Sequence, residues 1–185
     1  MKKVKAVLLS RDSFNKTITR LVHEIIENNS KIDDIVIIGI RTRGEYLAQR
    51  IAAQISKVSN ENIPLGVVDV TFYRDDFQSN LGSPELGPSK IDFDVSGKNI
   101  ILIDDVLYTG RTISAAMDEI FSYGRPASIS LAVLVDRGHR ELPIKADFVG
   151  KNYPTSFNEH SHVHIEEKDG EDTILLMEYG GKKSG

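Results

Sequence analysis

A chain of 185 residues, 40% hydrophobic and 27% charged, has the size and composition of one soluble globular domain with room for a continuous core. A net charge of −4 gives no overall attraction to nucleic acid or anionic lipid, although a local basic patch stays open. Cysteine is absent, which excludes a disulfide framework, a thiolate metal site and a thiol nucleophile and suits a reducing, cytoplasmic setting; no window is apolar enough for a membrane span.

The start, Met1-Lys2-Lys3-Val4-Lys5-Ala6-Val7-Leu8-Leu9, is basic and then apolar. Its apolar run of about four residues is shorter than a leader requires, so it reads as a first strand. After Ser10, a candidate N-cap, residues Phe14, Ile18, Leu21, Val22, Ile25 and Ile26 form one helical stripe that ends at Asn28-Asn29-Ser30. Asp34 to Ile40 is a nearly unbroken apolar run, as expected of a strand covered on both faces. A second helix is predicted from Glu45 to Val58, with Tyr46, Leu47, Ile51 and Ile55 inward, and another strand from Leu65 to Tyr73. Residues 74–90 are polar and rich in Gly and Pro; they read as a long loop, either a surface excursion or an active-site lid. Asn99 to Ile103 is a buried strand leading into Asp104-Asp105. A helix with Ile113, Met117, Ile120 and Phe121 follows, stopped by Gly124 and Pro126, and Ser128 to Val135 is again a strand. Alternating strands and helices imply βαβ units: an α/β fold with a central, mostly parallel sheet flanked by helices. The end differs, with His162 to Glu167 and Thr173 to Tyr179 joined at Asp169-Gly170 in a C-terminal β-hairpin, then a tail at 180–185 expected to be disordered.

The densest chemistry lies in Ile100-Ile101-Leu102-Ile103-Asp104-Asp105-Val106-Leu107-Tyr108-Thr109-Gly110-Arg111-Thr112. A buried strand delivers two carboxylates to its C-terminal end, the edge at which open α/β sheets bind ligands. Thr109 to Thr112 then opens a helix, where glycine permits close approach and hydroxyls with helix-start N–H groups favour a phosphate. Each half alone reads as a sheet cap or an ordinary helix start. Together they offer acceptors for hydroxyls beside donors for a phosphate, the two faces of a ribose 5-phosphate. There is no P-loop and no dinucleotide fingerprint.

Asp104 to Thr112 resembles the phosphoribosyl pyrophosphate (PRPP) signature of type I phosphoribosyltransferases. That resemblance implies that Asp104 and Asp105 hold the ribose hydroxyls, with Mg²⁺ bound there directly or through the sugar. It further implies that Val106, Leu107, Tyr108, Thr109, Gly110, Arg111 and Thr112 form the 5-phosphate site. Purine members usually carry an acid directly before the Thr-Gly; Tyr108 in its place argues against a purine base. The stretches Ile40-Arg41-Thr42-Arg43-Gly44, Thr71 to Asp76, Val135 to Ile144 and Gly150 to Ser156 are similar to one subfamily, the PyrR regulators of pyrimidine operons, which also act as uracil phosphoribosyltransferases. The likeness runs from about Val7 to Tyr179 and implies a single domain, 1–179, with a flexible loop at 74–90 and a hood at 136–156.

This resemblance implies a uracil phosphoribosyltransferase that makes UMP and pyrophosphate and also binds a hairpin in pyrimidine-gene leader mRNA under control of UMP or UTP. The backbone of Arg41, Thr42, Arg43 and Gly44 is expected to cradle pyrophosphate, with charge added by Arg43; the alternative reading of the two arginines is a pair of solvated loop side chains. Arg74 is expected to close over it, as a catalytic residue with Asp104 and Asp105. Asp136 and Arg137 are base-site candidates, although Asp136 serves as well to cap a turn before Gly138. Candidate RNA contacts are Thr19, Arg20, His23, Thr42, His139, Arg140, Lys145 and Lys151, which otherwise read as scattered surface polars. Asn28 and Lys145 stand where RNA-binding members commonly have arginine. His160, His162 and His164 alternate along a strand and read as a solvated face rather than a metal site. A homodimer or dimer of dimers is the family's implied assembly. The competing readings are a nucleotide-sensing RNA binder with weak catalysis and a phosphoribosyltransferase for another base.

Overall fold

Strands that are apolar on both faces need cover above and below, and this requirement organises the molecule. The computed structural model describes residues 2–71, 87–156 and 158–179. Its elements are β1 (Lys2–Leu9), α1 (Arg11–Asn28), β2 (Ile35–Ile40), α2 (Arg43–Ser59), β3 (Leu65–Val68), β4 (Asn99–Leu107), α3 (Arg111–Tyr123), β5 (Ser128–Asp136), β6 (Phe148–Asn152), β7 (Glu159–His164), α4 (Glu166–Asp169) and β8 (Thr173–Tyr179). Five strands form a parallel sheet in the order β3-β2-β4-β5-β6.

Every residue of β2 is buried, and its side chains alternate between two cores. Ile37, with Ile101 and Ile103 of β4, packs under α1 and α2 through Phe14, Ile18, Leu21, Leu47 and Ile51. Ile38, with Ile100 and Leu102, packs under α3 through Ile113, Ala116 and Ile120. The second sheet is antiparallel, in the order β1-β8-β7, and its Leu8, Leu9, Val163, Ile174 and Leu176 belong to the same core as α1 and α2. Shared apolar burial therefore fixes this small sheet to the main one.

The α/β expectation holds: the five strands of the main sheet pair in parallel, and an isolated antiparallel bridge joins Val67 of β3 to Lys90. Several local expectations change. The third strand ends at Val68 rather than Tyr73, because β2 stops at Ile40 opposite Val68 and Asp69 turns the chain by accepting from Thr71 N and Oγ1. The fourth strand runs past both acids to Leu107, since β5 continues to pair with it as far as Asp136. Phe121 is 55% exposed, on the side of α3 turned away from the sheet. Residues 148–152 of the expected hood are the edge strand of the main sheet. The joint between β7 and β8 is a one-turn helix ended by Gly170 in the left-handed region, not a tight hairpin turn. Ser10 is the N-cap of α1, but its side chain does not cap the helix. Arg74 and most of the predicted 74–90 loop, together with the 180–185 tail, lie outside the described residues.

Candidate active site

The last rung between β2 and β4 is Gly39 with Ile103, whereas β5 accompanies β4 to Leu107. The flank of β4 toward β2 therefore opens where the acids begin. Asp104 and Asp105 are 2% and 5% exposed; Asp104 Oδ1 accepts from Asp105 N and Asp105 Oδ1 from Val106 N, each at 2.9 Å. Successive strand residues alternate faces, so the two carboxylates approach the strand end from opposite sides.

Two glycines bring the start of α2 onto this spot. A Cβ on Gly39 would stand 2.6 Å from Gly44 O and 2.8 Å from Ala48 Cβ. One on Gly44 would stand 2.6 Å from Ile103 O and 3.3 Å from Asp104 Oδ1. Only bare backbone lets the loop Arg41–Gly44 lie against the acid strand. The Arg41–Thr42 peptide is cis.

The arginines of this loop are engaged. Arg41 Nε is 3.5 Å from Asp69 Oδ2, and its Nη2 donates to Pro88 O at 3.3 Å. Asp69 also accepts from Thr71 and, at 2.8 Å, from Gly87 N. Burial pushes the Asp69 carboxyl upward, but the bonds from Thr71 and Gly87 and the Arg41 charge outweigh it and hold the group below the usual carboxylate range. Arg43 forks onto Asp169 of α4, Nε to Oδ2 at 3.1 Å and Nη2 to Oδ1 at 2.8 Å.

Beyond the end of β4 at Leu107 comes the Thr109–Thr112 turn. Gly110, at φ +94°, is the N-cap of α3, its carbonyl accepts from Ser114 N, and Thr109 Oγ1 accepts from Arg111 N at 3.2 Å. The β5–β6 connection braces this turn from behind. Arg140 donates to Tyr108 O at 2.7 Å and Ile144 O at 2.8 Å, and pairs with Asp136. Glu141 N and Leu142 N both donate to Thr109 O, and Arg111 Nε meets Glu141 Oε2 at 2.6 Å. The C-terminal part of β4 thus carries two carboxylates, with an anion-type loop packed on Asp104 and a phosphate-type turn following Leu107.

Of the base candidates, Asp136 does cap the turn, accepting from Gly138 N at 3.0 Å as well as from Arg140. Arg137 is 4% exposed and acts as a strut: its guanidinium lies 4.0 Å from the Tyr108 ring centroid and donates to Thr155 Oγ1 and Glu159 O. His139 meets the same ring edge-on at 5.8 Å.

The RNA candidates divide into two groups. Thr19, Arg20 and His23 share the exposed side of α1, where Arg20 pairs with Glu24 at 2.6 Å and reaches the Val149 and Gly150 carbonyls of β6. Lys151, on the same strand, donates to Leu8 O at 3.0 Å. His139, Arg140 and exposed Lys145 lie in the β5–β6 connection, with Arg140 committed to internal acceptors and His139 against Thr155 O. Thr42 sits apart, at the start of α2. Among the described residues no three metal-ligating side chains cluster; His160 faces Arg137 and His164 faces Glu171 at 3.2 Å. Sequence reasoning gave no site role to Asp69, Glu141 or Asp169: Asp69 fell within an expected strand, Glu141 within the subfamily-like stretch Val135 to Ile144, and Asp169 at the expected turn before Gly170.

The phosphoribosyl transferase domain family matches residues 8–168. A Bifunctional protein PyrR from Pelotomaculum thermopropionicum is 47% identical over 178 residues, covering 96% of this chain and 98% of that one. A second, from Enterococcus faecalis, is 53% identical over 164 residues, covering 89% and 92%. Among solved structures, a Bacillus anthracis hypoxanthine-guanine phosphoribosyltransferase aligns with a TM-score of 0.67 at 20% identity, covering 94% of this chain and 98% of the other. The Trypanosoma cruzi hypoxanthine phosphoribosyltransferase gives 0.68 at 17% identity, over 95% and 97%. At such identities these structural likenesses speak for the fold.

Proposed function

The chain belongs to the phosphoribosyl transferase domain family and, within it, to the PyrR family, and from that membership we propose how its residues divide the work. It is a uracil phosphoribosyltransferase that also regulates pyrimidine genes. The observation that carries the site assignment is the contact of Gly44 with Ile103 O and Asp104, on the strand whose end at Leu107 runs into the Thr109–Gly110 turn.

In the reaction, uracil N1 forms a bond to ribose C1 as the bond from C1 to the pyrophosphate oxygen breaks, and the N1 proton is lost. Positive charge develops on the ribose while negative charge leaves with pyrophosphate. Asp104 and Asp105 accept from the ribose hydroxyls. The N–H groups and hydroxyls of Thr109 to Thr112 hold the 5-phosphate at the start of α3. The backbone of Thr42 to Gly44 receives pyrophosphate, and Arg74 is assigned to cover it. Two carboxylates without a third protein ligand among the described residues suit Mg²⁺, which phosphoribosyltransferases use with PRPP, which keeps several waters and which neutralises the leaving diphosphate when bound. The base lies toward Tyr108, whose ring is held by Arg137 and His139. Asp136 and Arg137 support the walls of this subsite, and exposed backbone groups pair the uracil carbonyls and N–H.

Uracil with PRPP and Mg²⁺ is expected to yield UMP, and a panel of bases is expected to show purines failing. The double change Asp104→Asn and Asp105→Asn should abolish turnover while leaving the unfolding temperature near that of the parent. Full activity in that variant would remove the acid pair from the mechanism.

For regulation, the α1 face carrying Thr19, Arg20 and His23 lies beside Gly150 of β6, which supports one continuous surface for leader mRNA. UMP and UTP are the nucleotides assigned to favour binding. A messenger partner and a cysteine-free chain are consistent with a cytoplasmic protein. A gel shift with pyrimidine leader RNA, with and without UMP, tests this second activity; RNA binding indifferent to UMP would discard nucleotide control.

A further inference from the structure

The short helix α4 and the residues after it gather Glu166, Glu167, Asp169 and Asp172, and three arginines reach them from α1 and α2. Two of these arginines are struts. Arg11 meets Glu166 at 2.6 Å where both side chains are about half exposed or more, so that pair adds little. Arg50, midway along α2, is shared between Glu167 and Asp172 and holds α4 to the outer face of that helix.

Arg43 is different because of where it stands. It lies between Thr42 and Gly44 in the loop assigned above to pyrophosphate, and its planar fork matches both oxygens of Asp169. The pair is largely buried, with side chains 26% and 18% exposed. Asp169 is itself fixed, since its Oδ2 accepts from Ile165 N at 2.9 Å and its own N donates to Ile165 O at 2.6 Å. The next residue, Gly44, rests against Ile103 O and Asp104. The loop is therefore held at Gly44 by the acid strand and at Arg43 by α4.

We propose that Asp169 is a positioning residue: by clamping Arg43 it holds the Thr42–Gly44 backbone in the orientation that receives the diphosphate of the donor. The proposal rests on the PRPP reading of the preceding subsection. A backbone anion site works best when its N–H groups are oriented before the ligand arrives, because ordering them on binding weakens affinity. Loosening the clamp should therefore raise the KM for PRPP and leave the chemistry of the bound complex alone.

The test is Asp169→Asn, which keeps the shape and removes the charge. The KM for PRPP is expected to rise about five- to tenfold, with kcat and the KM for uracil little changed and inhibition by pyrophosphate weakened in parallel. Glu167→Gln, on the same helix but paired with Arg50, is expected to lower the unfolding temperature without moving the KM for PRPP. A folded Asp169→Asn protein with unaltered or tighter PRPP binding overturns the proposal, and so does a Glu167→Gln protein whose KM rises equally. Should Asp169→Asn not fold, Asp169→Glu disturbs the two-point geometry while keeping the charge, and an unmoved KM there overturns it as well. A parent protein without turnover on uracil and PRPP overturns both readings, whereas parent turnover with an unmoved variant overturns this one alone.

Discussion

Lys5 Nζ lies against Glu159 Oε1, while Glu159 Oε2 accepts from Ser156 N at 2.8 Å and the Glu159 carbonyl accepts from Arg137. One residue of β7 thus ties β1 to Arg137, which stacks on Tyr108. The Lys5 bond, reinforced by the Ser156 N–H, lowers the Glu159 carboxyl from its ordinary 4.5 to about 2. The fold prefers the ionised form, so the stabilising contribution is whole above about pH 4.5 and is lost as pH falls toward 2. Glu159→Gln should therefore unfold at a lower temperature than the parent at pH 6, and the gap should narrow by pH 3. A gap independent of pH would mean that the carboxylate charge is not what matters. Such residue-level partners were hidden in the sequence. Arg43 and Asp169 are 126 positions apart and Lys5 and Glu159 are 154 apart, and nothing local to either member announces the other.

At the scale of elements, much more was legible, for a physical reason. The stripe of α1 and the unbroken run of β2 record their surroundings in consecutive residues, and both came out as expected. The acid pair and the Thr109–Thr112 turn were found because the strand, the carboxylates and the helix start are contiguous. Element ends were harder, because they depend on a neighbour: β3 stops with β2, and β4 continues with β5. The pairing of β1 with β8 could not be read at all, since strand partners are chosen by tertiary packing. Gly44 joins the local to the non-local, as its Cβ would stand 2.6 Å from a backbone carbonyl that cannot swing aside. Gly44→Ala should force α2 away from β4. It is expected to cost about 1–3 kcal/mol of stability, in the range of other overpacked sites, and to reduce kcat/KM by about tenfold or more. Thermal unfolding and steady-state kinetics check the two effects separately. A variant that is destabilised but fully active would show that the contact between loop and acid strand is not needed for catalysis.

At the scale of the molecule, an acidic chain that binds RNA must do so through a confined basic surface, since the net charge of −4 works against it elsewhere. If that surface includes Lys145, the β5–β6 connection joins it to the turn proposed for the phosphate. Glu141 N, Leu142 N and Arg140 hold the turn at Tyr108 and Thr109, and a Cβ on Gly110 would stand 3.3 Å from Ile144, whose neighbour Lys145 is exposed. A nucleotide phosphate seated on the turn and an RNA phosphate at Lys145 would then bear on one segment, which would give UMP a short physical route to RNA affinity. If Lys145 neutralises one RNA phosphate, Lys145→Gln should weaken leader binding and make the slope of log affinity against log salt shallower by about one unit. Its side chain is exposed and outside the assigned catalytic groups, so uracil turnover should stay at the parental rate. Equal affinity for parent and variant across a salt titration would remove Lys145 from the RNA surface. Weaker binding with an unchanged salt slope would assign the loss to something other than a phosphate contact.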